Sequence, residues 1–215
     1  MIHNLSQQNS IFNNFLAEIR DEVIQRDSLR FRRNMERVAE IMGYELSKKL
    51  KYSEKEITTT LGVVNVKTSD SELVLATILR AGLPMHQGLL NYFDKADSAF
   101  VSAYRKHTSS DEFDVFVEYC AAPTIDGKVL IISDPMLATG TSMTMVYKAL
   151  LKNGNPKQVH IVAAIATNEA LAMIEKYFPE NTQVWVGAID EELTAQSYIV
   201  PGLGDAGDLA FGDKL

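Results

Sequence analysis

The sequence predicts an α/β fold with a mainly parallel central sheet flanked by helices, and three observations support it. Short apolar runs without in/out alternation are typical of strands buried on both faces. The segments between these runs carry apolar residues at helical spacing. Strands that alternate with helices of this size form βαβ units, whose strands are parallel. The five predicted strands are residues 73–79, 99–103, 129–132, 160–166 and 184–189.

The N-terminal part, residues 1–60, is predicted to be mostly helical. Apolar residues recur at helical spacing from Ile11 to Ile24, and a second such pattern follows Ser28, which we expect to cap the helix. Four arginines line the polar side of the second helix. A solvated or subunit-facing surface is the first interpretation of this side, and a ligand site is the alternative. The four are Arg30, Arg32, Arg33 and Arg37.

Further along the chain, helical spacing predicts helices over residues 83–92, 143–151 and 169–178. Residues 101–117 are polar with scattered Tyr, Phe and Val, which favours a projecting hairpin or a mobile flap. The single cysteine, Cys120, excludes an internal disulfide and favours a reducing cytoplasm. We expect it to be a small buried residue.

Composition and charge narrow the class of protein. The 215 residues, 46% hydrophobic and 23% charged, fit one globular domain over residues 1–215. A formal charge of −7 argues against nucleic acid as a partner, because a polyanion requires a basic face. A few cations and backbone N–H groups can still hold a small phosphate. No apolar run reaches bilayer length and the first ten residues do not resemble a signal peptide, so we expect a cytoplasmic protein without membrane association.

The turn after the third predicted strand, SDPMLATGTS, is the first candidate site. Thr139, Gly140, Thr141 and Ser142 place a flexible glycine and three hydroxyls where a helix begins. The first N–H groups of a helix have no internal partners, so a phosphate could bind here. Asp134, at the strand's end, could accept from two sugar hydroxyls. The alternative is an ordinary helix cap made by Thr141 or Ser142.

Two other stretches point to the same edge of the sheet. Arg80, in ILRAGLP after the first predicted strand, sets a cation and a glycine at the carboxyl edge, although a surface arginine is the alternative. The C-terminal stretch YIVPGLGDAGDLAF contains too many glycines for a regular helix or strand. It predicts an ordered loop with exposed backbone groups, because its apolar residues argue against a floppy tail.

Together, DPMLATG with the following Ser, ILRAGL and YIVPGLGDAGD resemble the uracil branch of the type I phosphoribosyltransferase family. The motifs occur in the family's order, and the resemblance covers the chain from about Leu73 onward. It implies the type I phosphoribosyltransferase fold, with a flap hairpin and a C-terminal base-binding loop or hood in residues 195–215. It also implies transfer of a phosphoribosyl group from phosphoribosyl diphosphate (PRPP) to N1 of uracil, giving UMP and diphosphate.

The resemblance also implies roles for individual residues. Asp134 would bind the ribose hydroxyls, Arg80 would bind the diphosphate, and Arg105 would be the cation of the flap. Asp205 would approach PRPP and the waters of its Mg²⁺, and these four residues would form the catalytic set. The loop around PRPP would comprise Asp134, Pro135, Met136, Leu137, Ala138, Thr139, Gly140, Thr141 and Ser142. The uracil pocket would comprise Ile199, Gly204, Asp205 and Ala206.

The sequence departs from the family pattern in three places. Thr141 replaces a usual glycine, which should be tolerated only if its φ is negative. Residues 106–108, after Arg105, lack the family's usual acidic residues, and residues 208–213 replace a more basic version. The family pattern therefore leaves the contacts of the flap and of the C terminus open.

The resemblance implies Mg²⁺ carried by PRPP with no direct protein ligand, and a homodimer or higher homo-oligomer. The exposed-looking Phe12, Phe15 and Phe31 favour a dimer through the N-terminal helices. Two other functions remain open at this point. One is an RNA-binding regulator with the same fold, against which the net charge argues. The other is a transferase for another base, such as a purine.

Overall fold

The structure, a computed structural model, describes residues 1–107 and 113–214, and the side chains of residues 104–107 and 113–116 lie outside this description. A central sheet holds most of the strands. Its strand order is β1-β10-β9-β7-β4-β5-β6, with β8 beside β9. The strands are β1 Ile2–Asn4, β2 Tyr52–Thr58, β3 Val63–Ser69, β4 Leu73–Leu79, β5 Asp97–His107, β6 Phe113–Ala121, β7 Val129–Ser133, β8 Met136–Leu137, β9 Gln158–Thr167, β10 Gln183–Asp190, β11 Glu192–Leu193 and β12 Ile199–Val200. The α-helices are α1 Ile11–Arg20, α2 Ser28–Ser47, α3 Leu83–Tyr92, α4 Thr141–Leu150, α5 Asn168–Tyr177 and α6 Ala206–Phe211.

The mainly parallel sheet predicted from the sequence is confirmed. Every pairing in the central sheet is parallel except that of β5 with β6. All residues of β7 are buried, as are nearly all of β9, because helices cover both faces. Helices α1, α2 and α3 pack on one face, and α4 and α5 pack on the other. All five predicted strands are present.

The predicted helices also occur, with small differences at their ends. Helix α4 begins at Thr141, two residues before the predicted start, because Gly140 occupies the N-cap position. Helix α2 is capped by Asp27, whose carboxylate accepts from the backbone N–H groups of Leu29 and Arg30, so Ser28 is its first residue and not its cap. Helix α1 ends at Arg20, before the last apolar residues of its predicted pattern.

Three features differ from the sequence-based expectations. Strand β2 lies within the stretch expected to be mostly helical and pairs with β3 in a separate hairpin. Strand β1 joins the sheet edge beside β10. Cys120 is exposed and not buried, because β6 is an edge strand whose outer side chains meet solvent. The predicted projecting hairpin is formed by β5 and β6, which pair as far as His107 and Phe113, while residues 108–112 lie outside the described part.

Within the described residues, no helix combines the length and the hydropathy that a bilayer span requires.

Candidate functional site

A cleft of about 830 Å³ opens at the carboxyl ends of β4, β5 and β7. In α/β sheets this edge is where ligands bind, since the loops that follow the strands meet there. Arg80 reaches the cleft from the end of β4, Asp134 from the end of β7, and Gly204 from the C-terminal loop. Three segments that are far apart in sequence therefore surround one cavity.

The turn before α4 forms one wall. Gly140 has φ +75°, and an added Cβ would lie 2.9 Å from the Met173 Cβ, so both the backbone conformation and the contact with α5 require glycine. Thr141 is the first residue of α4 and does not have a positive φ. This is the condition under which a threonine was expected to be tolerated in place of glycine. The Thr139 hydroxyl donates to the Thr141 hydroxyl at 3.0 Å.

The first turn of α4 offers donors to an anion. Its N-cap residue, Gly140, has no side chain, and no side-chain cap bond forms there, so the ordinary-cap alternative is not what the structure shows. The Thr139 hydroxyl makes only a long contact, 3.4 Å, with the Thr141 backbone N–H. The helix N-terminus carries a partial positive charge, and the Ser142 side of the turn lines the cleft. This combination suits a phosphate group.

Arg80 forms the cationic part of the site. Its Nη2 donates to Asp208 Oδ1 at 2.8 Å and also to the Gly212 carbonyl, and its side chain is one-third exposed. The peptide bond between Leu79 and Arg80 is cis. Gly82 permits the tight turn after β4, because an added Cβ would lie 2.2 Å from Thr77 Oγ1. Arg80 is therefore a cation fixed at the cleft and joined to the C-terminal segment.

The C-terminal loop forms the opposite wall. Gly204 has φ +90° and lines the cleft with Asp205 and Ala206. Asp205 Oδ1 accepts from the backbone N–H groups of Gly207 and Asp208, which caps α6, while its Oδ2 lies 3.9 Å from Lys214 Nζ. The Ile199 side chain is buried in the core. This loop is ordered and packed, as predicted, and is not a floppy tail.

The structure brings most predicted site residues together. Eight of them line the cleft: Arg80, Asp134, Met136, Ala138, Ser142, Gly204, Asp205 and Ala206. Other predicted members shape the loops without lining it: Pro135, Leu137, Thr139, Gly140, Thr141 and Ile199. Leu137 is in the core, and the Pro135 carbonyl accepts from the Ile165 N–H. The side chain of Arg105 lies outside the described part of the chain.

Sequence reasoning missed several residues of the cleft. Ser102 and Ala103 reach it from β5, and Lys214 reaches it from the C-terminal end. Gln196, Ser197 and Tyr198 also line it, and Ser197 has φ +63°, which no sequence signal announces for a serine. These three residues and Lys214 fall within residues 195–215, the predicted base-binding loop, although none was named as a site residue.

The described side chains of the cleft form no metal cluster and include no histidine. Within the described residues, no group of three or more His, Cys, Asp or Glu side chains could hold a metal ion. Of the histidines whose side chains are described, none lines the cleft. His86 and His160 are buried, and burial lowers the pKa of each. The described lining of the cleft includes the carboxylates Asp134 and Asp205 and the cations Arg80 and Lys214.

Comparison with known proteins places this geometry in context. A sequence model described as uracil phosphoribosyltransferase matches residues 6–213. A protein of that name from Porphyromonas gingivalis is 55% identical over 215 residues, which are 100% of this chain and 99% of the relative. A solved structure of an Aquifex aeolicus protein is similar, with a TM-score of 0.87, 31% identity and coverage of 99% and 98%. A hypoxanthine phosphoribosyltransferase from Staphylococcus aureus, with a TM-score of 0.53, 16% identity and coverage of 86% and 84%, shares the fold.

Proposed function

The chain belongs to the uracil phosphoribosyltransferase family, and on that premise we propose that the cleft is its active site. The enzyme transfers the phosphoribosyl group of PRPP to uracil and yields UMP and diphosphate. The observation that carries the assignment of the site is the convergence of Arg80, Asp134 and Gly204 on one cavity. The loop proposed to bind the base and the turn proposed to bind the phosphate of PRPP therefore line the same cleft.

We assign the donor to the β7–α4 side. Asp134 accepts hydrogen bonds from the ribose hydroxyls, and the turn through Ser142 surrounds the 5-phosphate with backbone N–H groups and hydroxyls. Arg80 binds the diphosphate. It stabilises the negative charge that grows on this leaving group as its bond to the ribose breaks. PRPP is thus bound by three groups: the N-terminus of α4, the Asp134 carboxylate and the Arg80 guanidinium.

We assign the base to the C-terminal loop. We propose that backbone groups of Gly204 and Ala206, which line the cleft, read the O2, N3–H and O4 pattern of uracil, and that Ile199, which does not line it, supports the loop from the core. A fixed loop rejects a base with another pattern. Cytosine presents an amino group in place of O4 and an unprotonated N3. Each buried mismatch costs about 1–3 kcal/mol. The loop therefore accounts for base selection through its backbone.

Mg²⁺ is part of this proposal as a companion of PRPP. Asp134 and Asp205 both line the cleft, but the described residues contain no three-ligand cluster. Such a site fits an ion held mainly by substrate oxygens and water, as Mg²⁺ often is. When bound, Mg²⁺ neutralises charge on the diphosphate. Asp205 would then accept hydrogen bonds from waters of the ion.

The hairpin of β5 and β6 is the proposed flap. Ser102 and Ala103 of β5 line the cleft, so the strand continues from the site toward the hairpin end. By its resemblance to the family, Arg105 is the cation that this hairpin contributes. A hairpin folded over the cleft excludes water that would hydrolyse PRPP.

An assay of diphosphate release from PRPP tests the function, run separately with uracil, cytosine, hypoxanthine and xanthine. Release is expected with uracil alone. Asp134→Asn should lower kcat/KM about 10- to 100-fold, because a charged hydrogen bond is lost. Asp94→Asn, at an exposed carboxylate outside the cleft, is the control and should leave it unchanged. Turnover with a purine, or normal turnover by Asp134→Asn, would contradict the assignment.

We further propose a homodimer, although not on the basis expected from the sequence. Phe12 and Phe31 are buried in the chain's own core, so they do not require a partner. The hairpin of β2 and β3 offers a better reason. Its residues are almost all exposed, and neither strand makes more than marginal contact with other described elements. An isolated two-stranded hairpin is only marginally stable in water, so a covering surface is expected.

A further inference from the structure

The shape of the base loop depends on contacts that lie outside the cleft. Gly202 has φ +57°, and an added Cβ would lie 2.1 Å from the Ile199 carbonyl oxygen, so the chain folds back tightly just before Gly204. The Gly202 N–H donates to Asp190 Oδ2 at 2.9 Å, and this bond is buried. The Gly202 carbonyl accepts from Arg20 Nη1 at 3.4 Å. Both backbone groups of this glycine are thus held by one pair of charged side chains.

Arg20 and Asp190 form that pair. The arginine, the last residue of α1, donates through Nη1 and Nη2 to both carboxylate oxygens at 2.9 Å. Asp190, the last residue of β10, is 8% exposed and Arg20 is 22% exposed. A bidentate pair fixes the orientation of both groups, and a carboxylate so deeply buried requires its cation. Neither residue lines the cleft, so any effect on the substrate passes through the loop.

The N-terminal helices hold the same segment at two further points. Arg32 Nη1 donates to the Ala210 carbonyl at 2.6 Å. Gln25, with its amide nitrogen oriented toward its acceptors, donates to the Leu203 carbonyl at 2.8 Å. The apolar side chains of this segment lie in the core cluster that also contains Phe12 of α1. The N-terminal helices therefore form the surface against which the base loop is shaped.

We propose that Arg20 and Asp190 are positioning residues for the base, which set the conformation of residues 201–204 and thereby the affinity for uracil. The proposal rests on the proposed function, because it requires that the loop bind the base. The backbone donors and acceptors of the loop match the hydrogen-bonding groups of uracil in only one conformation. The Arg20–Asp190 pair holds that conformation at Gly202, two residues before Gly204.

Steady-state kinetics of Arg20→Gln test the proposal. The KM for uracil should rise about tenfold, the size expected when one charge-assisted hydrogen bond is lost, while the KM for PRPP stays within about twofold. Arg20→Lys, which keeps the charge but not the two-pronged geometry, should recover part of the loss. Arg30→Gln is the matched control. Arg30 of α2 forms a bidentate pair with Glu18 of α1, at 2.7 and 2.8 Å, without touching the loop.

If Arg20→Gln does not fold, the double variant Arg20→Gln with Asp190→Asn carries the measurement, since it leaves no unpaired buried carboxylate. Hydrogen exchange at the amides of residues 199–206 gives a second readout, and faster exchange than in Arg30→Gln is expected. An unchanged KM for uracil, or equal rises in both KM values, would overturn the proposal. A wild-type protein inactive toward uracil would instead refute the proposed function, and the exchange measurement would still decide whether the pair holds the loop.

Discussion

At the scale of single residues, the environment and not the residue type decides the role. Histidine is a common catalytic base, yet His160 and His86 are both buried away from the cleft. Asp208, the last residue of the YIVPGLGDAGD stretch, pairs with Arg80 at 2.8 Å. Such pairs are set by the fold and have no signature in the sequence.

His160 gives a prediction for the pH dependence of stability. Its Nδ1 accepts from Trp185 Nε1 at 3.1 Å, so the neutral ring carries its hydrogen on Nε2. Burial, followed by the charge of His3, lowers the pKa from 6.5 to about 4. Between these values the unfolded chain binds a proton that the folded chain does not. Stability is therefore lost as pH falls below 6.5, by about 1 kcal/mol between pH 7.5 and 5.5.

Urea unfolding of the wild type and of His160→Gln, followed by circular dichroism at one protein concentration, measures this contribution. The variant should lose less stability than the wild type between pH 7.5 and 5.5, by about 1 kcal/mol. Equal losses in the two proteins would show that His160 does not titrate as described.

At the scale of elements, the turn before α4 shows how a short loop can be fixed by its neighbour. Gly140 is held both by its positive φ and by the approach of α5, whose Met173 and Ala170 lie where a side chain would begin. Gly127 also has a positive φ, +67°, but an added Cβ there would meet nothing within 4 Å. A side chain at Gly127 would therefore strain only the backbone, whereas a side chain at Gly140 would strain the backbone and also clash with α5.

Gly127→Ala should cost about 1–2 kcal/mol of unfolding free energy, because only the left-handed conformation is penalised. Gly140→Ala should cost about 1–3 kcal/mol more, because the added methyl overpacks the contact with α5. It should also raise the KM for PRPP, since the donor turn is displaced. Thermal or urea unfolding of both variants measures the difference. Equal losses of unfolding free energy in the two variants would mean that α5 shifts to accommodate the added methyl group without cost.

At the scale of the whole molecule, the β2–β3 hairpin is almost wholly exposed in the described part of the chain. Lys55 pairs with Val66, and Ile57 pairs with Val64, so these four side chains share one face. Val64 and Val66 are 46% and 42% exposed, and Leu61, at the hairpin's end, is 98% exposed. Exposed apolar surface of this kind marks an interaction site. A second copy of the chain is the proposed partner.

Sedimentation at micromolar concentration should show a dimer. The double variant Val64→Glu with Val66→Glu should weaken it at least tenfold, since two charges would enter an apolar contact. Asn65→Glu, on the opposite face of the same strand, is the control and should weaken it less. The core should be unaffected, because the hairpin does not pack on it. A monomeric wild type, or equal effects of the two changes, would contradict this interface.

The sequence by itself determined the α/β class, the buried strands and the segments that line the cleft. These features follow from local patterns, since buried parallel strands read as continuous apolar runs and binding turns follow them directly. The turn from Asp134 to Ser142 and the glycine-rich C-terminal loop were both located in this way. The sequence alone also indicated that Thr141 must have a negative φ.

Only the tertiary structure decided which distant residues meet. The pairs Arg20–Asp190 and Arg80–Asp208 join residues far apart in the chain, and no spacing rule predicts them. The exposure of Cys120 depended on β6 being an edge strand, and the burial of Phe12 and Phe31 depended on the packing of the N-terminal helices against the sheet. Local pattern encodes which face of an element is apolar. What covers that face is settled by the free energy of packing the whole chain.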